Sequence, residues 1–174
     1  MLLPNLSLVL GGAASGKSAF AESLVLKGSD SPIYVATAQV FDDEMAQKVA
    51  RHQKSRGTDW ITIEEPIALP HALVQAKTGQ PVLIDCATLW LSNLILGAHD
   101  IAHQTDALIG AITGCKGPVV VVSNEVGHGI VPDNALAREF RNAQGQLNQI
   151  LAARADLVVA VMAGLPLTLK GNLP

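Results

Sequence analysis

Continuous apolar runs recur along the chain at residues 6–10, 32–36, 81–85, 119–122 and 157–162. Each is rich in Val, Ile or Leu, and several show no polar alternation. Runs of this length and composition suit strands covered on both faces. Helix-compatible stretches separate them. That alternation predicts an α/β domain with a mostly parallel central sheet and helices on both sides. The clearest helix spans about 134 to 154, where Leu136, Phe140, Leu147, Ile150 and Leu151 recur at helical spacing with Ala143 between them. Asp133, just after Pro132, is placed to cap its start. The opposite face carries Arg138, Arg141, Asn142, Gly145 and Asn148. An interior glycine costs about 1 kcal/mol against alanine. Gly145 therefore fits either close approach of a segment or ligand, or plain tolerance. Further helices are predicted over 19–26, 43–55 and 88–96, and between 101 and 112. Trp60, Ile61 and Ile63 suggest a short edge strand, and 167–174 read as a short strand or a frayed tail.

Length and composition narrow this picture. The 174 residues suit one domain over 1–174, and 49% apolar residues supply a sizeable core. Only 3% are aromatic, so that core is mostly aliphatic. The formal charge is -3 and no basic tail or stripe is present, which argues against nucleic-acid binding. Cys86 and Cys115 lack metal-ligand spacing, and Cys86 ends an apolar run as a buried thiol would. Neither a signal peptide nor a bilayer-length apolar segment is evident. A soluble, cytoplasmic protein without membrane insertion is the expectation.

The chemistry is concentrated after the first strand. Gly11-Gly12-Ala13-Ala14-Ser15-Gly16-Lys17-Ser18 fits the P-loop pattern G-x-x-x-x-G-K-[ST], in the strand–turn–helix context that makes it credible. The turn's amides and the helix N-terminus suit phosphate oxygens. Lys17 would reach the outer phosphates, and Ser18 would ligate Mg2+. Asp85 ends a predicted strand, where a carboxylate can hold that ion directly or through water. A solvated strand end or a helix cap is the plain alternative, and the metal-holding role is the favoured one. His52, beside Arg51, Lys54 and Arg56, is either a solvated histidine on a positive helix face or a nucleophile toward phosphorus. Thr37, Ala38 and Gln39 follow the second strand and could meet a nucleotide. Asn124 and Glu125 begin a glycine-containing loop, with internal capping as the plain reading. Glu64 and Glu65 could accept hydrogen bonds from a guanine edge or a ribose. A plain P-loop small-molecule kinase and a non-catalytic nucleotide-sensing module both remain compatible with these residues.

Taken together, the motifs resemble the bifunctional adenosylcobinamide kinase/adenosylcobinamide-phosphate guanylyltransferase family of cobalamin biosynthesis. The resemblance covers nearly the whole chain. It rests on the P-loop, Tyr34-Val35-Ala36-Thr37-Ala38, Asp42-Asp43-Glu44-Met45, Arg51-His52, Arg56, Trp60 before Glu64, and Asp85-Cys86. It continues through Asn124-Glu125-Val126-Gly127, Gly129-Ile130-Val131-Pro132, Leu136-Ala137-Arg138, Phe140-Arg141, Gly145 and Asn148-Gln149. It implies a single-domain P-loop NTPase-like fold in a homo-oligomer, with a trimer favoured. It also implies phosphorylation of adenosylcobinamide with ATP or GTP, then transfer of GMP from GTP through a guanylyl-histidine to adenosylcobinamide phosphate. Carried over residue by residue, the nucleophile falls on His52, with Lys17 as its catalytic companion on the phosphates. The nucleotide falls on Gly11, Gly12, Ala13, Ala14, Ser15, Gly16, Lys17 and Ser18. Ala36, Thr37, Ala38, Gln53, Lys54, Ser55, Arg56, Glu64 and Asp85 complete its site. Mg2+ falls on Ser18 and Asp85, with Glu64 as a further candidate. Some relatives carry two adjacent histidines where this chain has Arg51-His52.

Overall fold

The apolar runs pair into one sheet. A computed structural model describes residues 3–29, 31–39 and 59–174. Within them the order is β1 (Leu6–Gly11), α1 (Lys17–Leu26), β2 (Ile33–Ala36), β3 (Ile61–Glu64), α2 (Leu69–Leu73) and β4 (Val82–Asp85). There follow α3 (Ala87–Leu96), α4 (Ile101–Thr113), β5 (Val119–Asn124), α5 (Ala135–Arg154), β6 (Leu157–Met162) and β7 (Leu165–Lys170). The seven strands lie in the order β3-β2-β4-β5-β1-β6-β7. All neighbours run parallel except the β6–β7 hairpin. The predicted helix over 43–55 lies outside the described residues.

Alternation along the strands explains why no run could be polar on either side. Leu6, Leu8, Val35, Ile84, Val119 and Val121 point to one face, under Trp90, Leu91 and Leu94 of α3, Leu108 of α4, and Leu147 and Leu151 of α5. Val9, Tyr34, Leu83, Val120, Val122 and Val159 point to the other, under Ala21, Leu24 and Val25 of α1. The two faces thus receive different helices: α1 covers one, and α3, α4 and α5 pack on the other. No described helix is long and apolar enough to cross a membrane.

Several boundaries differ from the sequence reading. Asn134, not Asp133, caps α5, because its side chain accepts a hydrogen bond from the Ala137 amide. Leu136 and Ile150, assigned to the apolar face of that helix, are exposed, while Gln144 and Asn148 are buried. Gly145 faces open space, with nothing within 4 Å of a built Cβ. No segment of the described chain approaches it. The C-terminal segment is a full strand, β7, joined to β6 by Ala163 and Gly164 at φ 52 and 77. Positive φ at both central residues is the turn that matches strand twist in a two-residue hairpin.

Candidate active site

Parallel pairing sets the strand ends in a row along one edge of the sheet. Ala36 of β2 is level with Glu64 of β3 and with Asp85 of β4. Gly11, the last residue of β1, is level with Asn124, the last of β5. With strands about 4.8 Å apart, Asp85 lies two strands, roughly 10 Å, from the start of the P-loop. This edge, outside the carboxyl ends of the strands, is where open α/β sheets take ligands.

The P-loop is held from three directions. Glu125 N donates to Gly11 O at 3.1 Å, Ser15 N to Gly12 O at 3.3 Å, and Gly164 N to Ser15 O at 2.8 Å. The last contact brings the tip of the β6–β7 hairpin onto the loop. Gly16 sits at φ 93, and a Cβ there would stand 3.1 Å from the Gly164 Cα. Glycine is required for both the dihedral and the contact. Gly12, Ala13 and Ala14 are exposed. Helix α1 begins with no side-chain cap, so its first-turn amides remain free for an anion. Lys17 Nζ donates to Gly12 O at 3.1 Å, folded back over the loop, and Ser18 follows it in the first turn. The hydroxyl of Ser15 is buried with no partner among the described residues.

At the β4 end, Tyr34 Oη donates to Asp85 Oδ2 at 2.9 Å, which fixes the carboxylate at the crevice. Tyr34 is in turn set edge-on against Trp60, with ring centroids 5.7 Å apart. Next to Asp85, burial and then the Asp85 charge push the Cys86 thiol up from 9.0 to about 11. That sulfur stays protonated and takes no part as a nucleophile. Thr37, expected to face a nucleotide, is fully buried. Its hydroxyl donates to Cys86 O and accepts from Cys86 N, both at 2.8 Å. Asn93 of α3 donates to Thr37 O and Pro66 O, at 2.9 and 3.0 Å. The Thr37 side chain is thus spent on clamping β2 to β4, with Ala36 and Ala38 partly accessible beside it.

Glu64 and Glu65 separate in role. Glu65 Oε1 accepts from the Ile67 and Ala68 amides, which is local capping. Glu64 is exposed at the end of β3. Its register puts it two strands beyond Asp85, roughly 10 Å away and about 19 Å from the P-loop strand. Its strand is thus the far edge of the sheet from β1 on this side. His52, Gln53, Lys54, Ser55 and Arg56 lie outside the described residues.

Polar groups missed in the sequence line the β5 end. Ser123 Oγ donates to Asn148 Oδ1 at 2.6 Å, Gln144 Nε2 donates to Ser123 Oγ at 2.8 Å, and Asn148 Nδ2 donates to Asn124 O at 3.0 Å. Thr88 Oγ1 accepts from Asn124 N at 2.8 Å. Glu125 Oε1 accepts from Gly127 N, the internal capping anticipated for this loop. The i, i+4 spacing of Gln144 and Asn148 among buried leucines was the available signal.

Comparison with known proteins places these features in context. A family model described as cobinamide kinase / cobinamide phosphate guanyltransferase matches residues 7–169. The chain is 41% identical over 168 residues to the bifunctional adenosylcobalamin biosynthesis protein CobP of Pseudomonas aeruginosa, covering 95% of this chain and 97% of that one. It is 38% identical to the bifunctional adenosylcobalamin biosynthesis protein CobU of Escherichia coli K12 and 40% identical to that of Salmonella typhimurium. Each alignment covers 94% of this chain and 98% of the relative.

Proposed function

Because the chain belongs to the cobinamide kinase / cobinamide phosphate guanyltransferase family, we propose that its two reactions share the crevice at the carboxyl edge of the sheet. The protein is a bifunctional enzyme of adenosylcobalamin biosynthesis, a cobinamide kinase and a cobinamide phosphate guanylyltransferase. The observation that carries the shared site is the level pairing of the P-loop strand with β5, one strand from Asp85.

In the kinase step Gly11 through Ser18 hold the triphosphate of ATP or GTP. The acceptor hydroxyl attacks the γ-phosphorus, loses its proton, and the nucleoside diphosphate leaves. Lys17 swings from Gly12 O to the outer phosphates and offsets their charge. In the transfer step GTP lies with its far end toward Ala36, Ala38 and Glu64, and Gln53, Lys54, Ser55 and Arg56 flank it. An imidazole nitrogen of His52 attacks the α-phosphorus, an N–P bond forms and pyrophosphate departs. A phosphate oxygen of cobinamide phosphate then attacks the same phosphorus. The N–P bond breaks, and cobinamide-GDP and free imidazole result. Arg56 and Lys54 neutralise the charge that moves.

Ser18 and Asp85 supply hard oxygen donors, the donor set suited to Mg2+. No group of three metal-binding side chains occurs among the described residues. That fits an ion held mainly by phosphates and water, with these two residues beside it. When bound, the ion withdraws charge from the phosphate oxygens. Tyr34 keeps the Asp85 carboxylate aimed at that position.

A homo-oligomer, with three copies the favoured number, fits the open edge at β7, where Leu165, Leu167 and Leu169 are 71%, 58% and 58% exposed. The functional test uses α-labelled GTP. Wild-type protein should acquire acid-labile, base-stable label and pass it to cobinamide phosphate, whereas H52A should acquire none while still phosphorylating cobinamide. A folded H52A protein that labels normally, or loses both steps equally, refutes the division of roles.

A further inference from the structure

Three buried polar atoms near the end of β5 have no partner among the described residues: Asn124 Oδ1, Gln144 Oε1 and Arg141 Nη1. Buried polar groups are nearly always paired, so such a cluster calls for an occupant. Arg141 is the most demanding of the three. The residue is half-buried, its guanidinium cannot shed its proton, and a buried donor of a charged group without an acceptor is costly.

Its place in the fold narrows the occupant. Residues 137, 141, 144 and 148 form one stripe of α5, by the i, i+3 and i, i+4 rule. Gln144 and Asn148 on that stripe bind the end of β5. Arg141 lies one turn further toward the helix start. Helix α5 packs on the sheet face opposite to α1. Arg141 therefore stands on the sheet face away from the P-loop helix. An in-line displacement needs the acceptor on the side opposite the leaving group. The triphosphate already has the loop amides and Lys17. Beyond Arg141 the same stripe continues into a groove of about 220 Å³ between α3 and α5, lined by Ile95, Leu96, Leu136, Ala137 and Phe140. Exposed Ile130 and Val131 precede the same helix.

We propose that Arg141 is the recognition residue for the phosphate of cobinamide phosphate. The α3–α5 groove takes the apolar part of the same molecule. This rests on the bifunctional reading above and deepens it. Arg141 would separate the second acceptor, which carries a phosphate, from the first, which carries a hydroxyl. The planar fork of arginine matches two phosphate oxygens. Asn124 Oδ1, an orphan acceptor at the same strand end, is suited to a hydroxyl instead.

The test compares equilibrium binding and KM of cobinamide and of cobinamide phosphate for wild type, R141Q and R141K. Loss of a charge-assisted phosphate contact should weaken cobinamide phosphate about 10- to 100-fold in R141Q. The loss should exceed that for cobinamide at least about tenfold by the same reasoning. R141K, which keeps charge without the fork, should fall between wild type and R141Q. Parallel losses for both acceptors, in R141Q and in the milder R141K, overturn the proposal. So does an unchanged ratio of the two affinities. Absence of both products with the wild-type protein would instead refute the bifunctional reading, and the binding arm still decides the role of Arg141.

Discussion

Replacing Thr37 by valine keeps the outline of a β-branched side chain and removes one oxygen. That oxygen both donates to Cys86 O and accepts from Cys86 N, each at 2.8 Å, in a fully buried setting. The Cys86 amide would lose its partner, while the Cys86 carbonyl would lose one bond and keep the one from Trp90 N at 3.2 Å. A buried group left unsatisfied costs about 1–3 kcal/mol, and a bond lost from a group that keeps another costs less, so T37V should lose about 2–3 kcal/mol. At about 2–4 °C per kcal/mol for a domain of this size, Tm should fall by about 4–12 °C. T37S keeps the hydroxyl and loses one methyl, at about 1 kcal/mol. Urea unfolding monitored by circular dichroism, with both slopes and midpoints fitted, gives the comparison. T37V should be the less stable by about 1–2 kcal/mol. If T37V is as stable as T37S, the clamp between β2 and β4 carries no such energy. The hydroxyl would then have to be sought in nucleotide binding.

Two further outcomes follow from the site. The Cys86 thiol titrates near 11 in the fold against 9.0 ordinarily, because burial and then Asp85 disfavour its anion. The unfolded chain therefore releases that proton first. Stability is fully present below pH 9 and is lost as pH rises from about 9 to 11, by on the order of 2–3 kcal/mol. The unfolding free energy of wild type from urea titration should fall over that window by this amount more than that of C86A, and equal slopes with pH would contradict it. K17A should weaken GTP binding at least about 10- to 100-fold in calorimetric titration; affinity within about twofold of wild type would remove Lys17 from the phosphates.

Much of the sheet was legible because its strands are covered on both faces. Each apolar run, from 6–10 to 157–162, became a strand within a residue or two. Ile61 and Ile63 were enough to mark β3. The segment that became β7 was harder, since Leu165, Leu167 and Leu169 alternate with Pro166, Thr168 and Lys170 and are not buried in this chain. Helix α2 was missed because five residues with Pro70 among them give no period. The P-loop was legible as a local motif whose spacing carries its own chemistry. Thr37, Gln144 and Arg141 were not. Their roles depend on partners or neighbours distant in sequence, such as Cys86 and Ser123, and a polar residue on a helix reads as solvent-facing until its neighbour is known. Glu64 was legible as a strand-end acid, but only the strand order reveals that three strands lie between β3 and β1.

The strand that carries the P-loop is flanked on both sides by segments from much later in the chain: Leu6 is level with Val119, and Ser7 with Leu157. A growing polypeptide that has made only Gly11 through Ser18 thus has a loop with nothing to hold it. Its amides gain a fixed orientation only when β5 and β6 have docked, and the hairpin tip at Gly164 arrives last. Triphosphate capture is therefore a late event in biogenesis, and nucleotide affinity reports that the carboxyl-terminal third has reached its place.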